Sequence, residues 1–423
     1  MKQSKNIIKR RNLPVKTRKK STSVSNSRST KLLDRAGYIS DFGSGLYGLT
    51  ALGQETRKRI EDLVRNKHLK SGFHEVSIPS LQYSQDWKES GRWEKFEGEM
   101  FTLENRDDTE MCLAPTHEEG VVRMFRNTVR SYKDLPITIF QIKEKHRDDK
   151  AREGLLRGKE FVMKDAYSMH ASEQSMQSKY EEVKNIYRDI FSTIGLEVAE
   201  VDADVGVMGG SNSMEFVAPS QIGDDNLLHC NNCRFGVTDE HESYSEFDTN
   251  DNCPECDGEL HLDNGVEVGH IFALGQRYSS SMDFNFDTET GGDENVYMAS
   301  YGIGITRLIQ TTVDQNNSEN SCKWTVNQGF TLSPFDICVI QDEEVDNINE
   351  MLADVSDKRT LLYEGNKSIG EQFSESDLIG VPVKLIFANH WRSNNEVEIE
   401  LYNDKTIYCD PEDLKSEINS IWS

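Results

Sequence analysis

Residues 301–307 read Tyr-Gly-Ile-Gly-Ile-Thr-Arg, and they end a set of three separated blocks. The first block is Pro-Thr-His-Glu-Glu at 115–119. The second runs from His-Arg-Asp-Asp at 146–149, through Arg-Gly-Lys-Glu-Phe at 157–161, to Asp165. These blocks offer carboxylates for a cationic amine, arginines for phosphates and an aromatic ring for a flat base. Together they indicate an enzyme that activates an amino acid with ATP.

In this order the blocks resemble those of class II prolyl-tRNA synthetases of the bacterial or organellar kind, over roughly residues 32–423. The resemblance implies an α+β fold, with an antiparallel-sheet catalytic domain followed by a C-terminal α/β anticodon-binding domain. It also implies proline–tRNA ligase activity. In that reaction ATP and Mg²⁺ convert L-proline to prolyl-adenylate, which is then transferred to the 3′ end of tRNA(Pro). A homodimer is the expected assembly.

Hydrophobic periodicity agrees with this fold class. It predicts helices over Gly45–Lys70, Glu118–Val129 and Gln174–Ile194. Strands are predicted at Gly72–Pro79, Met100–Leu103, Ile137–Lys143, Glu160–Met163, Met214–Val217 and Val266–Phe272. Further strands at Phe335–Gln341, Thr360–Tyr363, Val383–Phe387 and Val397–Leu401 alternate with helical stretches at 344–355 and 411–421. Non-adjacent strands with intervening helices predict an α+β domain and a smaller α/β module behind it.

Four segments are expected along the chain. They are a disordered basic arm at 1–30, a catalytic domain at 31–314 with a cysteine knuckle at 228–260, a linker at 315–332 and an anticodon-binding domain at 333–423. The arm is rich in Lys, Arg, Ser and Thr, and three uses for it stay open. It is a solubilising tail, an RNA-contacting arm or an organellar transit peptide.

Charge is unevenly distributed in this chain of 423 residues and net charge −25. Residues 1–35 contain twelve Lys/Arg and one acid, which leaves −36 on the remainder. An acidic surface is awkward for RNA binding, because phosphate contacts supply much of the affinity. Either a local basic face is hidden in the total, or the surface is adapted to high salt.

The absence of any run of eighteen apolar residues excludes a membrane span and favours the cytoplasm, with the mitochondrial matrix as alternative.

The resemblance assigns a nucleotide-binding set in which arginines neutralise phosphate charge. Arg147 is expected at the α-phosphate and the amino-acid carboxylate, and Arg307 on the γ-phosphate side. These two arginines are the expected catalytic residues. Phe161 stacks on adenine. The complete ATP-binding set is Arg147, Arg157, Phe161, Gly302, Gly304 and Arg307. No activated nucleophile is needed, because the carboxylate of proline itself attacks the α-phosphate, so catalysis is positioning and charge neutralisation.

The resemblance also assigns a proline pocket. The expected set is Thr116, Glu118, Arg147, Asp165, Tyr167 and His270. Thr116 and Glu118 hold the secondary ammonium of the substrate, because a cationic imino group needs a carboxylate when it leaves water. Asp165 and Tyr167 complete the wall. For His270 a satisfied core histidine is the alternative to a pocket role.

Four of the eight cysteines form two Cys-x-x-Cys pairs: Cys230, Cys233, Cys253 and Cys256. Four thiolates at this spacing predict a structural, tetrahedral Zn²⁺, with reduced and metal-free thiols as the alternative.

Only a short loop separates the two pairs. There is no room for the large editing insertion of many bacterial relatives, so we expect no editing of alanyl-tRNA in cis. The chain resembles the insertion-free branch that includes mitochondrial enzymes.

Some positions depart from the family pattern: Met214 replaces a usual histidine, Ser300 a common cysteine, and the loop at 149–154 is short. These departures concern the contacts of the loop and of the tRNA acceptor end.

The alternative function is a catalytically inactive synthetase paralogue that serves as an RNA-binding or accessory subunit. Loss of Arg147, Phe161 or Arg307 would favour that alternative, and all three are present. Threonine, serine or glycine specificity is disfavoured by the first block.

Overall fold

A computed structural model describes residues 6–422 of the chain except 24, 26, 97, 207, 317 and 366. A nine-stranded sheet organises the first and larger unit. Its strand order is Asn212–Ser220, Ala199–Asp202, Phe235–Thr238, Asp225–Cys230, Leu260–Gly275, Tyr297–Gly304, Glu160–His170, Ile137–His146 and His74–Glu75. Most neighbours are antiparallel, as expected. Leu260–Gly275 is the central strand, since Asn212–Ser220 also pairs with it along its other edge.

Three helices pack against this sheet, at Ala51–Lys70, Glu173–Ile194 and Ile305–Gln315. The longest begins where the Ser172 side chain accepts a hydrogen bond from the Ser175 backbone and ends at Gly195, whose φ of 72° is in the left-handed region. Its apolar residues recur at helical spacing and are buried: Met176, Tyr180, Val183, Tyr187, Ile190, Phe191 and Ile194. They form the main core against the sheet.

A six-stranded sheet organises the C-terminal unit. Its order is Ile7–Lys9, Thr360–Leu362, Ile337–Gln341, Val383–Phe387, Val397–Leu401 and Thr406–Cys409. The first four strands are parallel and the last two are antiparallel additions. The helices of this unit are Ile348–Met351, Ile369–Ile379, Asn389–Asn394 and Leu414–Ile421. The predicted α+β fold class is thus confirmed.

The remaining elements are shorter and are distributed over the two units. Further helices span Arg28–Ala36, Ser84–Glu89, Glu118–Phe125 and Arg277–Ser281. Further strands are Ile39–Gly43, Leu46–Leu49, Leu81–Tyr83, Phe101–Glu104, Glu110–Leu113, Asn285–Asp287 and Asp293–Asn295. Short 3-10 helices lie at Arg10–Asn12, Tyr132–Asp134, Gly154–Leu156, Glu242–Glu246 and Leu352–Val355. No helix in the described part of the chain is long and apolar enough to cross a membrane.

Element boundaries differ from the sequence expectations in two instructive places. The helix expected from Gly45 starts at Ala51, because Leu46–Leu49 pairs with Ile39–Gly43 as a hairpin and Thr50 caps the helix. The strand expected over 72–79 pairs with its neighbour only at His74–Glu75. The chain then leaves the sheet before it reaches Pro79, which cannot donate a ladder hydrogen bond. The other predicted elements occur with ends shifted by up to seven residues, the largest shifts being at the long strands Glu160–His170 and Leu260–Gly275.

The expectation of a disordered basic arm at 1–30 is wrong for the described residues from Asn6 onward. Ile7–Lys9 forms a parallel edge strand on Thr360–Leu362, at the start of the C-terminal sheet. The sequence suggests disorder because this stretch has few apolar residues. Its order comes from distant carboxylates, since Arg10 pairs with Glu375, 365 residues away.

The two units share one continuous core. The expected linker contains no helix or strand at 318–332, but Trp324 is buried within it. The indole N–H of Trp324 donates to the Tyr38 hydroxyl at 2.7 Å, and that hydroxyl donates to the Ile379 carbonyl at 2.7 Å. An ion pair at 2.8 Å between Arg59 and Asp336 adds a further link. The segment therefore joins the units by packing.

Candidate active site

A cavity of about 400 Å³ opens at the centre of the nine-stranded sheet. It is lined by every predicted proline- and ATP-binding residue: Thr116, Glu118, Arg147, Arg157, Phe161, Asp165, Tyr167, His270, Gly302, Gly304 and Arg307. Strand register explains part of this convergence. Gly302 pairs with Asp165 on one side and with His270 on the other, so the three lie in one row across the sheet.

The cavity wall carries a buried carboxylate. The hydroxyl of Thr116 donates to Glu118 Oε2 at 2.5 Å, and the same oxygen lies 3.2 Å from Arg92 Nη1. Glu118 begins the helix Glu118–Phe125, where backbone N–H groups and the helix dipole favour a negative charge. This geometry fixes the Glu118 carboxylate at the cavity wall.

Arg92 is the fixed counter-ion of this carboxylate. Its guanidinium also lies 3.3 Å from Glu119 and donates to the Tyr278 hydroxyl at 2.7 Å. The rings of Trp87, Phe96 and Tyr278 lie 5.0, 4.8 and 5.3 Å from it, in the range of cation–π contacts. Burial would lower the pKa of Arg92, but Glu119 and the other partners raise it overall. Burial raises the pKa of Glu119.

A second buried network surrounds Asp165. One carboxylate oxygen lies 2.7 Å from Lys145 Nζ, and the other accepts hydrogen bonds from Gln141 and the Tyr167 hydroxyl, both at 2.9 Å. Burial would raise the pKa of Asp165, but Lys145 and its other partners lower it. Lys145 also donates to His117 Nδ1 at 2.6 Å, and burial together with Lys145 lowers the pKa of His117 to about 3. The Asp165 carboxylate and the Tyr167 ring are therefore held in one position.

Two arginines also line the cavity, and Arg147 lies beside the block that carries Thr116 and Glu118. The Arg147 guanidinium lies 5.4 Å from the ring centroid of Phe161 and donates to the Pro115 carbonyl at 3.4 Å. Its buried Nε atom has no hydrogen-bond partner among the described residues. Arg307 donates from Nε to the Leu156 carbonyl at 2.8 Å and pairs with Glu267 at 3.1 Å. Both guanidinium groups can receive phosphate oxygens.

Three side chains beside Arg307 form a candidate cation site. Glu215, Glu267 and His270 bring their ligand atoms within 4.8 Å of one another. Burial and the nearby Glu267 carboxylate raise the pKa of Glu215 to about 9. For Glu267 burial raises the pKa, but His270 and Arg307 together lower it. Oxygen-rich ligand sets of this kind suit a hard divalent cation such as Mg²⁺.

His270 belongs to this acidic cluster. Its Nδ1 lies 3.1 Å from Glu267 and 3.4 Å from Glu215, and its Nε2 lies 2.5 Å from the Ser213 hydroxyl. Its ring stacks on Phe272 with 3.8 Å between centroids. None of its hydrogen bonds in the described structure goes to Thr116 or Glu118. The geometry associates His270 with Glu267, the ion-pair partner of Arg307.

Arg157 lies in the loop between the strands Ile137–His146 and Glu160–His170, where it pairs with two aspartates. Its Nε donates to Asp149 at 2.7 Å, and its Nη1 lies 3.6 Å from Asp224. Gly302 faces open space, because a Cβ there would meet nothing nearer than Met163 Sδ at 3.7 Å. The surrounding protein does not itself require glycine at this position, which agrees with a bound molecule passing close to the strand.

The four paired cysteines meet outside this cavity. Cys230 Sγ lies 3.5 Å from Cys256 Sγ, and Cys233 Sγ lies 3.6 Å from Cys253 Sγ. Tetrahedral sulfurs at Zn–S distances of about 2.3 Å stand about 3.8 Å apart, so the cluster fits zinc. Each sulfur also accepts a backbone N–H two residues on, from Asn232, Phe235, Glu255 and Gly258. Burial would raise the pKa of Cys230, but backbone N–H groups lower it to about 7.

Sequence reasoning missed four residues of the site: Arg92, Lys145, Glu215 and Glu267. Glu267 and His270 are three apart, so regular strand alternation would put them on opposite faces. Phe216 pairs with Gly269 and Val217 with Glu267, which leaves Val268 as a bulge residue. The bulge brings the two side chains together. Arg92 stands 26 residues before Glu118, and nothing local to it signals the contact.

The fold and the cavity are matched by a known family. Residues 101–316 match the family described as "tRNA synthetase class II core domain (G, H, P, S and T)". The chain is therefore a class II aminoacyl-tRNA synthetase. Proline–tRNA ligases from Sulfurimonas denitrificans and Wolbachia pipientis wMel are each 34% identical to it, over 392 and 383 residues. The matches cover 88% of this chain and 90% of the first relative, and 86% of this chain and 88% of the second. The chain belongs to the proline–tRNA ligase family, as the sequence blocks indicated.

Solved structures agree on the fold. Prolyl-tRNA synthetase from Cryptosporidium parvum complexed with L-proline and AMP superimposes with a TM-score of 0.75 at 14% identity. The match covers 96% of this chain and 77% of that one. The same enzyme complexed with halofuginone and AMPPNP gives the same TM-score, with 93% and 74% covered. At this identity the similarity concerns the fold.

Proposed function

We propose that this chain activates L-proline with ATP to prolyl-adenylate and transfers the prolyl group to the 3′ end of tRNA(Pro). The observation that carries the proposal is the polarity of the cavity. One cavity is lined by the Glu118 carboxylate and by the guanidinium groups of Arg147 and Arg307, with Arg147 beside the Pro115 carbonyl. A small zwitterion whose carboxylate faces a nucleotide phosphate fits this arrangement.

In the proline half, Glu118 and the Thr116 hydroxyl would hold the secondary ammonium group. Arg147 would bind the proline carboxylate and direct it at the α-phosphate. Asp165 and Tyr167 would form the wall, supported by the hydrogen bonds that fix them to Lys145 and Gln141. These contacts orient the substrate, which is the main requirement for an attack by the carboxylate of proline itself.

In the ATP half, Phe161 would stack on adenine, and Arg147, Arg157 and Arg307 would receive the phosphates. Arg157 and Arg307 now pair with Asp149 and Glu267, so both must exchange a carboxylate for a phosphate when ATP binds. Gly302 and Gly304 would let the nucleotide lie against the strand. Catalysis then rests on neutralising the charge that develops at the α-phosphate.

Glu215, Glu267 and His270 would hold Mg²⁺ beside Arg307, since their ligand atoms lie together and Glu267 pairs with Arg307 at 3.1 Å. When bound, the metal would neutralise phosphate charge. This role would replace the expected proline contact of His270. The four cysteines would hold a structural Zn²⁺, supported by the sulfur spacing and the backbone N–H donors.

We further propose the segment roles. Residues 31–314 would form the catalytic domain and 333–423 the anticodon-binding domain, joined by 315–332. A homodimer is supported by apolar side chains exposed on one small sheet, at Leu81, Tyr83 and Leu103. The protein would act in the cytoplasm, or alternatively in the mitochondrial matrix.

The absence of cis editing also remains a proposal. The alignment with the proline–tRNA ligase of Halothermothrix orenii spans 539 residues at 28% identity, which is longer than this chain of 423. That relative therefore has segments without a counterpart here. Alanine differs from proline by little apolar volume, so binding alone gives limited discrimination.

Amino-acid-dependent exchange of pyrophosphate into ATP tests the function. We expect exchange with proline, weaker exchange with alanine and none with threonine or glycine. Measuring at low and at multi-molar salt also decides whether the acidic surface is an adaptation to salt. A folded protein without exchange for any amino acid would favour the inactive paralogue, which nothing in the site otherwise supports.

A further inference from the structure

The N-terminal segment of residues 6–23, here called the strap, links the two units. It begins as the edge strand Ile7–Lys9 of the C-terminal sheet and runs to the helix Arg28–Ala36 of the catalytic unit. The proposed reaction does not use it. Its sequence nevertheless concentrates positive charge on a chain that is otherwise strongly acidic.

Glu375 anchors the strap to the C-terminal unit. Its carboxylate accepts two hydrogen bonds from Arg10, at 2.9 and 2.8 Å, and one from Thr17 at 2.9 Å. Lys367 adds a contact at 2.7 Å. The Glu375 side chain is only 3% exposed, so these contacts are shielded from solvent. Glu364 binds Lys9 at 2.8 Å in the same way.

Asp34 anchors the other end of the strap to the catalytic unit. It accepts hydrogen bonds from the Ser21 hydroxyl at 2.7 Å, the Thr22 backbone at 2.6 Å and Arg18 at 2.9 Å. The Arg18 backbone N–H donates to the Arg35 carbonyl at 2.8 Å. With a carboxylate anchor at each end, the strap is held in a fixed path.

The strap leads directly to the loop of the active site. Just after it, the hydroxyls of Ser27 and Ser29 accept hydrogen bonds from Gln310, at 3.3 and 3.2 Å. The same amide donates to the Glu153 carbonyl at 2.9 Å. Glu153 lies in the loop that carries Arg157. The chain thus runs continuously from the C-terminal sheet to the edge of the candidate ATP site.

The anchors leave several cations of the strap unused. Lys16, Lys19 and Lys20 are exposed, and none has an ion pair within 4.0 Å among the described residues. Arg11 pairs with Glu364 but is 58% exposed. A cavity of about 850 Å³ borders the strap at Lys16, and it is lined by five cationic side chains and three carboxylates: Arg10, Arg11, Lys16, Arg18 and Lys367, and Asp34, Glu364 and Glu375.

We propose that the exposed cations of the strap bind the phosphate backbone of tRNA as it crosses from the C-terminal unit to the active site. The proposal rests on the proposed function, which supplies tRNA as the partner. A row of fixed cations binds a polyanion by releasing its counterions. The strap reaches both units, so an RNA that engages both can follow it. The acidic remainder would repel RNA elsewhere, which makes this row the entry for the nucleic acid.

A triple charge reversal tests the strap: Lys16→Glu, Lys19→Glu and Lys20→Glu. The matched control reverses Lys58, Lys70 and Lys133, which are exposed on the catalytic unit and change the net charge equally. Aminoacylation kinetics and tRNA binding are measured over a range of salt concentrations. We expect KM for tRNA to rise about 10-fold or more and the log–log salt slope to weaken by about 2 to 3, since each phosphate contact contributes about 0.9.

Proline-dependent pyrophosphate exchange is the internal reference, because it needs no tRNA. Exchange should be equal in wild type, triple variant and control. If exchange is present and the two triple variants bind tRNA alike, the strap proposal is overturned while the function stands. If wild type shows no exchange, the function itself fails.

A second variant, Arg10→Ala, removes the anchor at Glu375 and keeps the three lysines. Weaker tRNA binding in this variant would show that the cations act from a fixed path. If both Arg10→Ala and the triple variant bind tRNA as tightly as the wild type, the proposal is overturned. That outcome would stand even if the wild-type strap binds other polyanions such as heparin.

Discussion

Arg92 and Glu118 form an ion pair at 3.2 Å, and their side chains are 0% and 2% exposed. Burying a carboxylate is costly unless a cation lies beside it. Glu119 adds a second acid to the same guanidinium. Arg92 is therefore the counter-ion of Glu118 in the absence of substrate, and it fixes the carboxylate at the cavity wall, where an incoming ammonium can reach it.

We expect Arg92→Met to weaken proline binding. Leaving a buried charge without its partner costs about 2 to 5 kcal/mol, so KM for proline should rise at least 10-fold while KM for ATP stays near the wild-type value. Pyrophosphate exchange at varied proline measures the effect. Arg92→Lys is the companion variant, because it keeps the charge and loses the forked contacts. An equal rise in both Michaelis constants would indicate general damage to the fold instead.

Glu118→Gln should remove the counter-ion of the proline ammonium. We expect kcat/KM for proline in pyrophosphate exchange to fall about 30-fold or more, which matches the cost of about 2 kcal/mol for losing a desolvated charge partner. Glu119→Gln is the control, because Glu119 shares Arg92 but does not line the cavity. A larger effect at Glu119 than at Glu118 would refute the assignment.

Arg307→Lys should reduce exchange mainly through ATP. A lysine keeps the charge but loses the planar fork, so we expect KM for ATP to rise and kcat to fall about 10- to 100-fold, which is less than the roughly 100- to 1,000-fold cost of removing a transition-state donor altogether. Arg126→Lys, outside the cavity, should leave both constants unchanged. Steady-state kinetics at varied ATP and saturating proline separate the two variants.

The cysteine cluster should hold about one zinc per chain after purification without chelator. Cys253→Ser should lower the zinc content below half an equivalent and lower Tm, since structural zinc contributes folding free energy. Cys322→Ser is the control, because Cys322 is buried away from the cluster. Elemental analysis and thermal melts give the readouts. Less than half an equivalent of zinc in wild type would count against the metal.

The anchor at Glu375 should make stability depend on pH. Burial would raise the pKa of Glu375, but Arg10 and Lys367 lower it from 4.5 to about 2. A depressed pKa contributes stability that is full above 4.5 and is lost as the pH falls towards 2. Wild type should therefore exceed Glu375→Gln in free energy of unfolding at pH 6, and the difference should shrink towards pH 3. Urea titrations measure it, with the exposed Glu412→Gln as control; a gap that is constant with pH would contradict this assignment.

Most of the fold and the predicted binding residues of the cavity could be read from the sequence, because their signals lie within short stretches of chain. Periodicity is visible within a helix such as Glu173–Ile194, and the family blocks mark Arg147 and Arg307 directly. The remainder depends on contacts between distant residues. Arg92 meets Glu118 only after folding, and Glu267 reaches His270 through a bulge that alternation does not reveal.

The strap shows the same limit. Composition suggests disorder for a polar, basic segment, because burial of apolar surface cannot order it. Its order instead comes from buried carboxylates at Asp34 and Glu375, which lie 16 residues after Arg18 and 365 residues after Arg10. A rule that considers only neighbouring residues cannot anticipate either contact.

One strand connects the two candidate metal sites. Leu260 pairs with Cys230 at the thiol cluster, and the same strand carries Glu267 seven residues further on, about 23 Å at the rise of a strand. A buried sheet face specifies strand register strongly, so the two sites are held in one register relative to each other. Samples should therefore be compared at equal zinc content before a loss of ATP binding is ascribed to a nucleotide-binding side chain.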